Sequence, residues 1–93
     1  MYKVTKRDGR TVDFNITRIA NAITKAFDAL GKQYHPSVIE LISLHVTSDF
    51  ESKIVDGKIT VEDIQDSGEK VLSESGYADV AKAYILYRRQ REK

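Results

Sequence analysis

The sequence predicts an α+β fold in which an N-terminal β-hairpin is followed by four helices. Up to residue 14, large apolar and charged residues alternate with a period of two, which is typical of strands. From residue 15 onward, apolar residues recur every three or four positions, which is typical of amphipathic helices. Breaks near Gly31, Gly57 and Gly76 divide this second stretch into four helical segments.

Length and composition exclude several classes of protein. At 93 residues the chain has room for one small domain, and its 41% hydrophobic and 31% charged residues are those of a folded globular protein. The absence of cysteine excludes disulfides, thiolate nucleophiles and cysteine-based metal sites. No apolar run approaches the ~20 residues that span a bilayer, and no leader pattern opens the chain, so we expect a cytoplasmic protein.

The charges are distributed unevenly along the chain, although the net charge is only +1. Residues 1–32 carry seven basic and three acidic side chains, residues 33–76 carry three and nine, and residues 77–93 carry five and two. If the two basic ends meet in space, they form a localised site for an anion. For any single basic residue at the end of the last helix, the helix dipole is the simpler explanation.

Two Asp-Gly pairs indicate turns between short strands. Asp8-Gly9 separates two alternating runs and predicts a hairpin over residues 2–14, closed by a type I′ turn with positive φ at both residues. The β-branched run Ile54–Ile59 also contains an Asp-Gly pair and could add a third strand. Because an isolated hairpin is barely stable in water, we expect these strands to rest on the helices.

Capping residues predict where the first two helices begin. Asn15 is the expected N-cap of the first helix, and Gly31 follows its end. The second helix is predicted from Ser37 to Ser52, because Ser37 and Glu40 form an S-x-x-E capping box.

The third helix is predicted to begin after Thr60, which forms a second capping box with Asp63, and to end near Gly76. Gly68 lies inside this helix and costs about 1 kcal/mol of helix propensity relative to alanine. We therefore expect a close contact with another helix at Gly68. The fourth helix follows and ends in the basic run of residues 88–93.

Few residues could carry out catalysis. His35 and His45 are the only histidines in the chain. No zinc-protease motif, serine-hydrolase motif or pair of carboxylates accompanies them. We therefore predict a chain without catalytic residues or a metal site.

Phosphate binding needs only hydrogen-bond donors and positive charge. Lys6 and Arg7 close the first predicted strand, Arg18 lies in the first turn of the first helix, and Arg88 and Arg91 lie one turn apart on the last. These side chains, together with backbone N–H groups at the start of the first helix, could converge on one polyphosphate. Neither common glycine-rich nucleotide loop is present, and on spacing alone scattered surface charge is the simpler explanation.

Three runs of residues resemble the ATP-cone, a family of regulatory nucleotide-binding domains. The first is VTKRDG at residues 4–9, followed by Phe14-Asn15, Arg18-Ile19 and Ala22-Ile23; the second is ITVEDIQ at residues 59–65. The third is YADVAKAYILYRRQR at residues 77–91. The runs follow the family's order across almost the whole chain. Their wording is most similar to the N-terminal cone of anaerobic ribonucleotide reductases.

The resemblance implies a four-helix bundle capped by a small lid, either the N-terminal hairpin or a three-stranded sheet. Residues 1–93 would form a single cone at the N-terminal end of a larger enzyme. It further implies that ATP and dATP, accompanied by Mg²⁺, compete for one region and act as an allosteric switch on a neighbouring catalytic domain. Effector-dependent self-association is an expected readout of that switch.

The resemblance also implies a set of nucleotide contacts. In order along the chain these are Val4, Lys6, Arg7, Asn15, Arg18, Ile19, Thr60, Val61, Arg88 and Arg91. The basic residues would contact the phosphates, Asn15 would help to read the adenine, and Ile19 would pack beside the base. Some family members carry an acid near the adenine on the second strand, where this chain has Val12.

One alternative function remains open at this point. The arginine-rich end of the chain and its five tyrosines also fit a small nucleic-acid-binding or transcription-regulator module. Such a module would bind with a steep dependence on salt concentration. The family's transcriptional repressors join a cone to a cysteine-containing zinc ribbon, and this chain has no cysteine.

Overall fold

The computed structural model describes the backbone of residues 2–91 and the side chains of residues 2–86. It confirms the α+β fold, with four helices and a three-stranded sheet, and a short 3₁₀ turn follows the second helix at Glu51–Lys53. The elements in chain order are β1 (Lys3–Thr5), β2 (Thr11–Asp13), α1 (Ile16–Ala29), α2 (Pro36–Phe50), β3 (Lys58–Thr60), α3 (Val61–Glu74) and α4 (Ala78–Arg91).

The three strands form a mixed sheet in the order β2-β1-β3, and we call this sheet the lid. β1 pairs antiparallel with β2, placing Val4 opposite Val12, and parallel with β3, placing Val4 opposite Ile59. Val4 and Ile59 are both buried. Alternation along the strands therefore turns one apolar face of the lid toward the helices.

The loop between β1 and β2 differs from the predicted type I′ turn. Gly9 has a φ of 88°, whereas Asp8 does not adopt a positive φ. The Lys6 carbonyl accepts from the Gly9 N–H at 2.9 Å, and the Lys6 N–H donates to the Arg10 carbonyl at 2.7 Å. This is a three-residue loop with a left-handed glycine, so the prediction of a hairpin is confirmed and its turn type is wrong.

The second Asp-Gly pair does form the type I′ turn. Asp56 and Gly57 have φ values of 53° and 72°. Val55 and Lys58 on either side exchange two backbone hydrogen bonds of 2.9 and 3.0 Å. This tight turn leads the chain into β3, which is shorter than the predicted run and begins at Lys58.

The start of α2 also differs from the prediction. The N-cap is His35, whose Nδ1 atom accepts from the Ser37 N–H at 3.2 Å, and Pro36 occupies the first helical position. Proline suits that position because its missing N–H would have no partner within the helix. The predicted capping box at Ser37 is therefore wrong, and His35 has a structural role.

The predicted caps of α1 and α3 are confirmed. The Asn15 Oδ1 atom accepts from the Thr17 N–H at 2.9 Å, and the Thr60 hydroxyl accepts from the Asp63 N–H at 3.1 Å. Each cap satisfies a backbone donor that the helix itself leaves unpaired.

The core lies between the four helices, with α1 and α3 each packing against both α2 and α4. Burial of each large apolar side chain contributes about 1.5–3 kcal/mol to folding. None of the helices within residues 2–91 is long and apolar enough to cross a membrane. The most completely buried apolar side chains are Ile23, Ala26, Phe27, Val46, Phe50, Leu72 and Val80.

Three aromatic rings join the lid to the bundle, and we call them the ring cluster (Tyr2, Phe14 and Phe50). Tyr2 and Phe14 stack with their centroids 4.7 Å apart. Both meet the edge or face of Phe50, at 6.0 and 5.7 Å respectively. Because Phe50 ends α2 and is fully buried, the cluster fixes both ends of the hairpin to the helices.

Gly68 makes the close helix–helix contact that its position predicts. A Cβ atom at Gly68 would lie 2.7 Å from the Oη atom and 2.9 Å from the Cζ atom of Tyr84 on α4. Both residues are buried, so the Tyr84 ring has little room to move aside. A methyl group at position 68 would therefore press on Tyr84 where α3 crosses α4.

We expect Gly68→Ala to lower the free energy of unfolding by about 1 kcal/mol. Overpacking of a buried contact costs roughly 1–3 kcal/mol, and the alanine regains about 1 kcal/mol of helix propensity. Urea denaturation of the variant measures the change. Ser73→Ala, at an exposed position of the same helix, is the control, with a change below about 0.5 kcal/mol. A Gly68→Ala chain more stable than the wild type would contradict the packing described here.

Candidate functional site

A pocket opens where the lid meets α1, α3 and α4. Its volume is about 150 Å³. A cavity of roughly this size holds a benzene ring, so the pocket matches one aromatic ring in size. The pocket is lined by Val4, Lys6, Val12, Asp13, Phe14, Asn15, Arg18, Ile19, Ala22, Val61, Ile64, Gln65 and Tyr84.

The inner wall of the pocket is apolar and firmly held. Val4, Ile19, Ile64 and Tyr84 line it, and each is less than 9% exposed. Phe14 lines it as well and is half-buried, with Tyr2 stacked against its ring. Rigid apolar side chains and a supported aromatic ring suit the faces of a planar ligand.

Positive charge enters the pocket from two elements. Lys6 comes from the end of β1, and Arg18 comes from the first turn of α1. The structure therefore brings together two of the cations that the sequence analysis selected. The dipole of α1 adds partial positive charge at the same end of the helix.

The backbone donors expected at the start of α1 are largely used within the chain. Asn15 accepts from the Thr17 N–H through its side chain and from the Arg18 N–H through its carbonyl, at 2.9 and 3.0 Å. These two amides are therefore not free to bind an anion. The remaining contribution of this helix end is its dipole and the Arg18 side chain.

Arg7 does not line the pocket, in contrast to Lys6 beside it. Its Nε atom lies 3.1 Å from a Glu62 carboxylate oxygen, and its guanidinium donates to the Gln65 Oε1 atom at 3.0 Å. Arg7 thereby ties the hairpin loop to the first turns of α3. Thr60 caps α3 and is also absent from the lining, whereas the adjacent Val61 is part of it.

The remaining two predicted contacts lie outside the described side chains. Arg88 and Arg91 belong to α4, whose backbone is described as far as Arg91. Their predicted role in phosphate binding stays a prediction.

Seven of the lining residues were not among the predicted contacts. Val12 lines the pocket because it lies opposite Val4 on the neighbouring strand. Ala22 lines it because it lies one helical turn after Ile19. Tyr84 is explained by the α3–α4 crossing at Gly68, which spacing alone does not reveal. The seven are Val12, Asp13, Phe14, Ala22, Ile64, Gln65 and Tyr84.

Asp13 places an acid at the pocket, one residue after Val12, the position where some family members carry an acid. Its carboxylate accepts a hydrogen bond from Lys3, the residue opposite it on β1. This hydrogen bond, and then the charge of Lys3, holds the pKa of Asp13 below its ordinary value. The carboxylate is therefore ionised at neutral pH and already engaged by a cation.

Two other concave regions are less suited to an anion. One lies between α2 and α3 and the other between α1 and α2, each with a volume of about 310 Å³. Their linings include Asp49 and Glu74 in the first and Glu40 in the second, and neither includes a lysine or arginine. Among the described residues, no group of His, Asp and Glu side chains could hold a metal ion.

We expect Asn15→Ala to lower the free energy of unfolding by about 1 kcal/mol, because the N-cap of α1 is lost. Asn15→Ser should stay much closer to the wild type, since serine caps a helix about as well as asparagine. Urea denaturation at neutral pH measures both changes. Equal destabilisation by serine and alanine would show that capping is not the structural role of Asn15.

Known relatives of this chain are ribonucleotide reductases. It is 38% identical to the ribonucleoside-diphosphate reductase subunit alpha of Chlamydia pneumoniae, over 95% of this chain and 9% of that protein. The vitamin B12-dependent ribonucleoside-diphosphate reductase of Mycobacterium tuberculosis is also 38% identical, over 96% and 12%. The anaerobic ribonucleoside-triphosphate reductase of Haemophilus influenzae is 34% identical, over 98% and 13%.

The chain therefore spans about a tenth of the length of these relatives. The family model of the ATP cone domain matches residues 2–93, which include all three of the runs that carried the resemblance. The relatives include anaerobic ribonucleoside-triphosphate reductases, at 34% and 33% identity. With its fold, its pocket and this match in agreement, the chain belongs to the ATP-cone family of allosteric regulatory domains.

Proposed function

We propose that this chain binds ATP or dATP in the pocket beneath the lid and thereby switches the activity of a ribonucleotide reductase of which it forms part. The observation that carries the proposal is a largely apolar pocket whose lining includes two cations, Lys6 and Arg18. Family membership favours this function over the nucleic-acid-binding alternative.

The adenine would enter the apolar part of the pocket. Phe14 offers a ring face for stacking, and Ile19 and Ile64 would pack against the base. Asn15 uses its amide oxygen to cap α1, which leaves its NH₂ group to donate to an acceptor nitrogen of the base. One asparagine would thus both cap α1 and donate a hydrogen bond to the base.

The triphosphate would extend from the base toward the cations. Arg18 can bind phosphate oxygens through two parallel hydrogen bonds, and Lys6 supplies a compact charge from the other side. We assign further phosphate contacts to Arg7, Arg88 and Arg91, and a contact at the start of α3 to Thr60 or Val61.

ATP and dATP differ by one 2′-hydroxyl, so they can switch the domain only by favouring different conformations. Hydrogen bonds made or lost at that group contribute a few kcal/mol at most. The pocket touches both the lid and Tyr84 on α4, so a change in ligand could alter the surface of either element. The partners we propose are the catalytic domain of the parent protein and, in one effector state, a second copy of this chain.

Magnesium would arrive with the nucleotide. In proteins Mg²⁺ is commonly held by one or two carboxylates together with phosphates and waters. The carboxylate in the pocket lining, Asp13, is already paired with Lys3. The phosphates, together with waters, would therefore supply most of the oxygens around the ion.

We further propose that this domain does no chemistry itself. Reduction would take place in the part of the parent protein that corresponds to the remaining nine-tenths of the relatives. The residues of the three runs favour an anaerobic ribonucleoside-triphosphate reductase of the cytoplasm as that parent.

Calorimetric titration of the chain with Mg-ATP and Mg-dATP tests the proposal. We expect binding of both, and thermal stabilisation that reaches about 2.7 kcal/mol at a hundredfold excess over the Kd. Arg18→Gln should weaken binding roughly ten- to a hundredfold, because it removes a charged hydrogen-bond donor.

The matched control is Lys25→Gln, which removes the same charge from an exposed position of α1 outside the pocket. It should bind nearly as the wild type does. Absence of both heat and stabilisation at millimolar nucleotide, or equal weakening in the two variants, would contradict the proposed site.

A further inference from the structure

Arg7 is held by two side chains of α3 that lie one turn apart. Its Nε atom lies 3.1 Å from the Glu62 Oε1 atom, and a terminal nitrogen donates to the Gln65 Oε1 atom at 3.0 Å. The Arg7 and Glu62 side chains are 37% and 43% exposed, so the ion pair is open to solvent on one side. The contact joins the hairpin loop to α3, since Arg7 lies 55 residues before Glu62 and 58 residues before Gln65 in the chain.

This contact lies at the edge of the pocket. Gln65 lines the pocket, and so does Lys6, the residue before Arg7. The guanidinium is therefore one hydrogen bond away from the pocket wall, on the side where Lys6 brings its charge. Glu62 occupies the first turn of α3, where the helix dipole favours an acid.

We propose that Glu62 is an internal competitor of the nucleotide triphosphate for Arg7. This inference rests on the proposed function. A carboxylate and a phosphate present similar oxygen pairs to the guanidinium, and the Nε–H that faces Glu62 cannot donate fully to both. Entry of a triphosphate exchanges the carboxylate for a phosphate oxygen.

The exchange has a structural consequence, because the same ion pair ties the hairpin loop to α3. When Arg7 turns to the phosphates, the first turn of α3 loses that tie to the lid. Glu62 thus sets the nucleotide concentration at which Arg7 exchanges its contact with α3 for a contact with phosphate. An exposed ion pair is weak enough for a ligand to displace it.

Glu62→Gln tests this competition, because glutamine keeps the shape and one acceptor oxygen but removes the charge. We expect its affinity for Mg-ATP to rise roughly two- to fivefold, the range that corresponds to an exposed ion pair. Glu69→Gln removes the same charge two turns further along the same helix, outside the pocket lining, and should change the affinity little.

Repeating the substitution in an Arg7→Gln background separates competition for Arg7 from a general charge effect. That chain retains Lys6 and Arg18, so we expect weaker but measurable binding, and no gain from adding Glu62→Gln. The proposal is overturned by a Glu62→Gln affinity equal to or below that of the wild type. A gain matched by Glu69→Gln, or one that persists without Arg7, overturns it as well.

The outcome for the wild type separates this inference from the function on which it rests. If the wild-type chain binds no nucleotide, the proposed function fails and this inference fails with it. If the wild type binds and Glu62→Gln gains nothing, the inference alone fails.

Discussion

Burial of the lid's apolar face on the helices is the contact on which the rest of this structure depends. Strands of three residues do not form a stable sheet in water without such support. Val4 and Ile59 on one face of the lid, and the ring cluster at the ends of the hairpin, provide it. The same contact carries Lys6 to the first turn of α1, where Arg18 lies.

The pocket is continuous with the core. Val4, Ile19, Ile64 and Tyr84 belong to the buried cluster and also line the pocket. A ligand that fills the pocket therefore packs against the side chains that hold the lid in place. If nucleotide binds there as proposed, it would act directly on the positions of the lid and α4, because the site and the supporting contacts share residues.

Features set by neighbouring residues could be predicted from the sequence. The caps at Asn15 and Thr60 and the position of the hairpin depend on spacings of a few residues. The errors have equally local causes. Histidine is a less common N-cap than serine, so Ser37 was predicted in place of His35. The length of each loop decides whether its Asp-Gly pair forms a type I′ turn, and only the pair Asp56-Gly57 does so.

Contacts between distant segments could not be predicted in the same way. The need for a close neighbour at Gly68 was evident, but its partner Tyr84 follows only from how α3 crosses α4. The tie of Arg7 to Glu62 and Gln65 likewise depends on where the lid rests. The family resemblance predicted Val4 and Ile19 at the site, and the structure adds Phe14, Ile64 and Tyr84 to the same apolar wall.

The proposed nucleotide site is the pocket between the lid and α1, α3 and α4. Chemical-shift mapping of the backbone amides during a titration with dATP tests this assignment. We expect the largest shifts at Val4, Asn15, Ile19 and Ile64. Largest shifts around His45 and Glu74, in the cleft between α2 and α3, with the pocket amides unchanged, would contradict it.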